Sequence, residues 1–168
     1  MMFELKTLTR EAIPRSLEKA EHYRLLNEPA QAESICLDIL AVDPDNQQAL
    51  TTLLLALTDQ FDRRLGATVS HAQEVLGQLR DEYARAYYAG IICERRARAR
   101  LHQGGHGCEF AAYEWLREAM TAYEAAEALC PPGNNDAMLR WNTCARMIMR
   151  NPNLRPAPEE QGFELPLE

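Results

Sequence analysis

The chain has no apolar run long enough to cross a bilayer: its longest central stretch, 53–57, falls far short of the roughly 20 residues a spanning helix needs. Residues 1–15 carry Glu4, Lys6, Arg10, Glu11 and Arg15 and no sustained apolar segment, so they do not resemble a secretory signal. A cytoplasmic protein without a membrane partner is the expectation. Positive charge is also in deficit. With 18 Lys and Arg against 25 Asp and Glu, the net charge is -7, which argues against a bulk electrostatic grip on nucleic acid or on anionic lipid. The cysteines, Cys36, Cys93, Cys108, Cys130 and Cys144, are odd in number, scattered and without a C-x-x-C pair, so they do not form a disulfide framework. Each reads as a small buried apolar residue in a reducing compartment. There is no P-loop, no G-x-G-x-x-G, no G-x-S-x-G and no H-E-x-x-H. Neither an enzymatic activity nor a cofactor is expected.

What is present is a helical pattern. At 168 residues and 46% apolar, the chain can bury one continuous core. Leu17, Ala20, Tyr23 and Leu26 fall three apart, and Ala32, Ile35, Cys36, Ile39 and Leu40 fall three or four apart, which predicts two amphipathic helices. Asn27-Glu28-Pro29 stops the first and starts the second, with Pro29 early in a helix where its missing N–H costs little. Asp43-Pro44-Asp45-Asn46 breaks the chain again. Asp45 and Gln48, three apart, predict a capping box for a third helix through Leu50, Leu53, Leu54 and Leu57.

Ala20, Tyr23, Ala32, Cys36, Ile39 and Pro44 fall in the order and spacing of a tetratricopeptide repeat, and this segment resembles that family, whose period is about 34 residues. Cys36 stands where the family usually has a large aromatic. A looser second copy has Ala72, Leu76 and Leu79, with the stretch 59–66 lengthening the hairpin before it by about six residues relative to that period. A third has Gly90 at the small position and Ala119, Tyr123, Ala126 and Pro131 repeating the spacing of Ala32, Cys36, Ile39 and Pro44. Its first helix is predicted over 83–101, and 102–108 is predicted as an inserted turn rich in glycine. A last helix over 136–149, with Met138, Trp141, Ala145 and Ile148 on one face, would cap the stack. The resemblance therefore implies an all-α fold, a right-handed solenoid of about three helix hairpins plus a capping helix over 1–150. The tail, 151–168, holds Pro152, Pro156, Pro158 and Pro166 and four glutamates and cannot continue a helix. It reads as flexible, or as a docking segment through Phe163, Leu165 and Leu167.

Members of the family commonly bind a peptide or a helix on the surface lined by the first helix of each pair, which implies an interaction scaffold with another protein as partner. Projected onto this chain, that surface carries Arg24, Tyr87, Glu94, Arg95, Asn142 and Arg146, along with Leu17, Glu21, Thr51, Leu55, Thr58, Ile91 and Met138. The arginines suit a partner's carboxylates, because guanidinium presents planar paired donors. Where relatives that grip chaperone tails have Lys and Asn, this chain has Leu17 and Glu21, which argues against that ligand. The basic run 94–100 spreads its arginines over more than one helical face, so nucleic acid is not the expected partner. Two further readings rest on residues of other kinds. His102, His106 and Cys108 are metal-ligand types with no fourth ligand nearby, and a polar turn is the simpler account. Self-association through an uncapped end or the tail is the other alternative.

Overall fold

The computed structural model describes residues 2–158 and is all-helical, with no strand among the described residues. A single 3-10 turn, Arg10–Ala12, leads into seven α-helices: α1 Ile13–Leu25, α2 Pro29–Val42, α3 Gln47–Thr58, α4 Phe61–Gly77, α5 Glu82–Gln103, α6 Cys108–Leu129 and α7 Asp136–Arg150. Each packs on the next in sequence, and α1 and α5 also pack on α3. Among the described residues no helix is long and apolar enough to cross a membrane.

Local chemistry sets the helix ends. Asn27 takes a left-handed conformation, φ 60°, and the amides of Asn27 and Glu28 bond back to the carbonyls of Arg24 and Tyr23. This is the paired closure that ends a helix when an asparagine follows its last turn. Pro29 then opens α2. The start of α3 differs from the expected capping box. Asn46, not Asp45, is the cap, its side chain accepting from the Ala49 amide at 2.9 Å. Asp45 pairs instead with Arg80.

The stretch expected to lengthen the second hairpin is helical. Only Asp59 and Gln60 separate α3 from α4, and the additional residues extend α4 to 17. Phe61 is fully buried and Gln60 nearly so, with the Gln60 amide donating to Glu33 Oε2 at 2.7 Å and to the Ala56 carbonyl at 3.1 Å. These anchors start α4 early, and Gly66 inside it costs only about 1 kcal/mol relative to alanine.

Small residues let the helices approach. Ala20, Ala32, Cys36 and Ile39 are wholly buried, as are Ala119, Tyr123 and Ala126 in the matching places further along. One core cluster joins α1 to α5 through Cys36, Leu50, Leu54, Leu57, Phe61 and Ile92. A second joins α5, α6 and α7 around Tyr123, Leu116 and Cys144, and Leu154 beyond α7 packs into it. Leu26, predicted on the buried face of α1, is instead its exposed cap.

Candidate functional site

The alternate helices α1, α3 and α5 share a cleft of about 260 Å³. Glu21 and Arg24 come from α1, Gln48, Thr51 and Leu55 from α3, and Tyr88 from α5; spacings of three and four keep each set on one side of its helix. The Gln48 amide reaches Glu21 Oε1 at 3.4 Å. Immediately after α3, Asp59 ties the same three helices together. Its Oδ2 accepts from Arg24 Nε at 2.7 Å and its Oδ1 lies 3.3 Å from Arg95 Nη1. Two guanidiniums on one half-buried carboxylate leave a local excess of positive charge.

A second cleft, of about 210 Å³, lies between α5 and α7 and is lined by Tyr87, Asp136, Leu139, Arg140 and Thr143. Behind it Glu94 is completely buried. Its Oε2 accepts from the Tyr123 hydroxyl at 2.7 Å, and its Oε1 accepts from Arg98 at 3.1 Å and from Arg140 at 3.3 Å. A carboxylate withdrawn from water requires such partners. Burial first, and then the neighbouring Glu94 charge, push the Tyr123 phenol far above the usual range, so it remains a donor. Gly90 makes room for it: a Cβ there would lie 2.4 Å from the Tyr123 ring. Tyr87 stacks on Tyr83 at 5.8 Å and leans on Tyr123 at 5.9 Å.

The expected groove residues divide accordingly. Arg24 and Tyr87 stand at clefts, and Arg95 meets Arg24 at Asp59. Glu94 does not face a partner, because it is the buried hub of α5, α6 and α7; Leu17, Thr58 and Ile91 are buried as well. Asn142 and Arg146 do not line the α5–α7 cleft. Asn142 donates to Met138 Sδ at 3.1 Å, Arg146 is exposed on the outer side of α7, and Arg140, six residues before it, stands at the cleft.

The basic run is largely engaged within the molecule. Arg95 is on Asp59, Arg96 lies 3.5 Å over the Trp115 ring, Arg98 is on Glu94, and Arg100 donates to the Gly104 carbonyl at 2.9 Å. The His102, His106 and Cys108 group is not a ligand set. Cys108 is the buried first residue of α6, not part of the turn. Its thiol lies 3.2 Å from Glu109 Oε2, and that hydrogen bond first, then burial, raises its pKa, favouring the thiol over the ligating thiolate. His102 Nδ1 lies 3.5 Å from Asp62 Oδ1. Among the described residues no three His, Cys, Asp or Glu side chains gather as metal ligands.

Sequence reasoning missed Asp59, Tyr88 and Arg140. Asp59 lies in the stretch expected to lengthen a hairpin, and Arg140 meets Glu94 from 46 residues away, a separation no local pattern spans. Comparison with family models, with curated proteins and with solved structures finds no match to this chain.

Proposed function

We propose that the chain is a cytoplasmic interaction scaffold of tetratricopeptide type, a right-handed solenoid that holds a peptide or helix of another protein across α1, α3, α5 and α7. The observation that carries this reading is the cleft shared by three alternate helices, with Arg24, Thr51, Leu55 and Tyr88 at its walls. Packing of each helix on the next, with α3 touching both α1 and α5, is the contact pattern expected when hairpins stack in one direction. The wholly buried Ala20 and Ala32 and their counterparts Gly90 and Ala119 support the repeat reading, since small residues occupy the close approaches in both. The cleft walls combine an apolar floor with a few oriented polar groups, as peptide-binding surfaces do.

Selection of displayed random peptides against the full chain tests this. Selected peptides are expected to shift the NMR amide signals of Glu21, Arg24, Thr51 and Leu55. Thr51→Arg, which fills the cleft from α3, is expected to weaken binding about tenfold or more, a change of about 1.4 kcal/mol. Peptides that shift only α2, α4 or α6, or that bind the Thr51→Arg chain equally well, overturn the proposal.

A further inference from the structure

The outer face of α7 has no helix upon it among the described residues. Ala137, Cys144 and Ile148 turn inward to the α5–α7 core, which leaves Leu139, Asn142, Arg146, Met149 and Arg150 on the opposite side. Leu139 is 57% exposed and Met149 81%, unusual for the last helix of a stack, whose free side is ordinarily polar. Arg146 and Arg150 are exposed and make no ion pair with a described residue. The charge here runs against the whole: in a chain of net -7, the stretch 136–158 sets Asp136 against Arg140, Arg146, Arg150 and Arg155 and is net positive.

The next part of the sequence complements it. Residues 159–168 lie outside the described part of the chain and hold Glu159, Glu160, Glu164 and Glu168, with Phe163, Leu165 and Leu167 at alternate positions. In an extended segment alternate residues share a side, so three apolar side chains can meet Leu139 and Met149, with Glu159 on the same side to pair with Arg146 or Arg150. Reach is sufficient. The face from Met149 back to Leu139 is about 15 Å long at 1.5 Å per residue, and a segment of this length spans up to roughly 33 Å. Leu154, buried against α5, α6 and α7, already turns the chain back onto this end of the molecule.

We propose that residues 159–168 fold back and bind the outer face of α7.

NMR on the full chain tests this against a Phe163→Ser, Leu165→Ser variant. Amide shift differences are expected at Leu139, Asn142, Arg146 and Met149, unchanged from dilute to concentrated samples. Arg146→Glu with Arg150→Glu is expected to move the Phe163 and Leu165 signals as far as removing their side-chain contacts does, with α1 to α3 undisturbed as a control on folding. Differences confined to 159–168 overturn the proposal. So do α7 differences that grow with concentration, which would assign the face to a second copy of the chain, and differences at the α1, α3 and α5 cleft alone, which would place the segment there.

Discussion

The Tyr123 hydroxyl donates to Glu94 Oε2 across 2.7 Å, and both residues are fully buried. The bond joins α5 to α6, and Arg140 brings α7 to the same carboxylate. Tyr123→Phe would leave one oxygen of a buried carboxylate without its donor, at a cost of about 1–3 kcal/mol. Glu94→Gln, which strips two guanidiniums of their charge partner, is expected to cost about 1–3 kcal/mol, since both guanidiniums keep contact with water. Urea denaturation of each variant and of the double variant should show losses that do not add, since the two changes remove one shared interaction.

Gly90→Ala should destabilise by about 1–3 kcal/mol through overpacking. The added methyl would sit 2.4 Å from the Tyr123 ring, which has no free end to swing aside. Thermal or chemical unfolding checks the loss. In the Tyr123→Leu background, where the ring is gone, the same change should cost much less.

Asp59→Ala would leave Arg24 and Arg95 without their common acceptor. Both guanidiniums remain in contact with water, so the expected loss is about 1–2 kcal/mol, smaller at high salt. Arg24→Ala and Arg95→Ala should each cost less than Asp59→Ala, because the carboxylate retains a partner in either. Denaturation at two ionic strengths separates these outcomes.

Stability is expected to fall in alkali. Burial is the largest influence on Cys36 and Cys144, both pushed up to about 12, and on Cys93, pushed up to about 11. In the unfolded chain these thiols ionise near the ordinary value of 9.0. The native state therefore keeps protons that the unfolded state gives up, so the contribution is intact below pH 9 and is lost as pH rises towards about 12. Tyr123, also raised by burial, acts in the same direction. Urea titrations on either side of pH 9 should show a plateau followed by a decline, and Cys144→Ala should make the decline shallower.

Arg96→Ala removes a guanidinium lying 3.5 Å over the Trp115 ring. A loss of about 0.5–1 kcal/mol is expected, with a change in tryptophan emission that Arg98→Ala, which touches no ring, should not reproduce.

Much of the helical framework can be read from the sequence, because proline, asparagine and the three- and four-residue apolar spacing act locally. Pro29 and Asn27 mark a hairpin turn, and Asp136 opens a helix as its position suggests. What could not be read depends on partners distant in sequence. Asp45 reads as the cap of α3, but it pairs with Arg80, 35 residues on, and Asn46 caps the helix instead. Gly66 and the charges around it look like a loop until buried Phe61 and Gln60 fix the start of α4. Glu94 occupies a position that the repeat resemblance assigns to the binding surface, and its charge suggests solvent. Only the arrival of Tyr123 and Arg140, 29 and 46 residues later, makes burial tolerable.

The succession of contacts along the chain bears on how it folds. Every helix finds its main partner in a helix adjacent in sequence, so no segment of the chain must search for a distant mate, and loop closure is short at each step. Folding can start within one hairpin and spread. The α5–α6 hairpin, with two 22-residue helices and the ion network at its centre, is the best nucleus, and the exposed outer face of α7, which packs chiefly on α6, belongs to the part of the molecule whose amides exchange with solvent early.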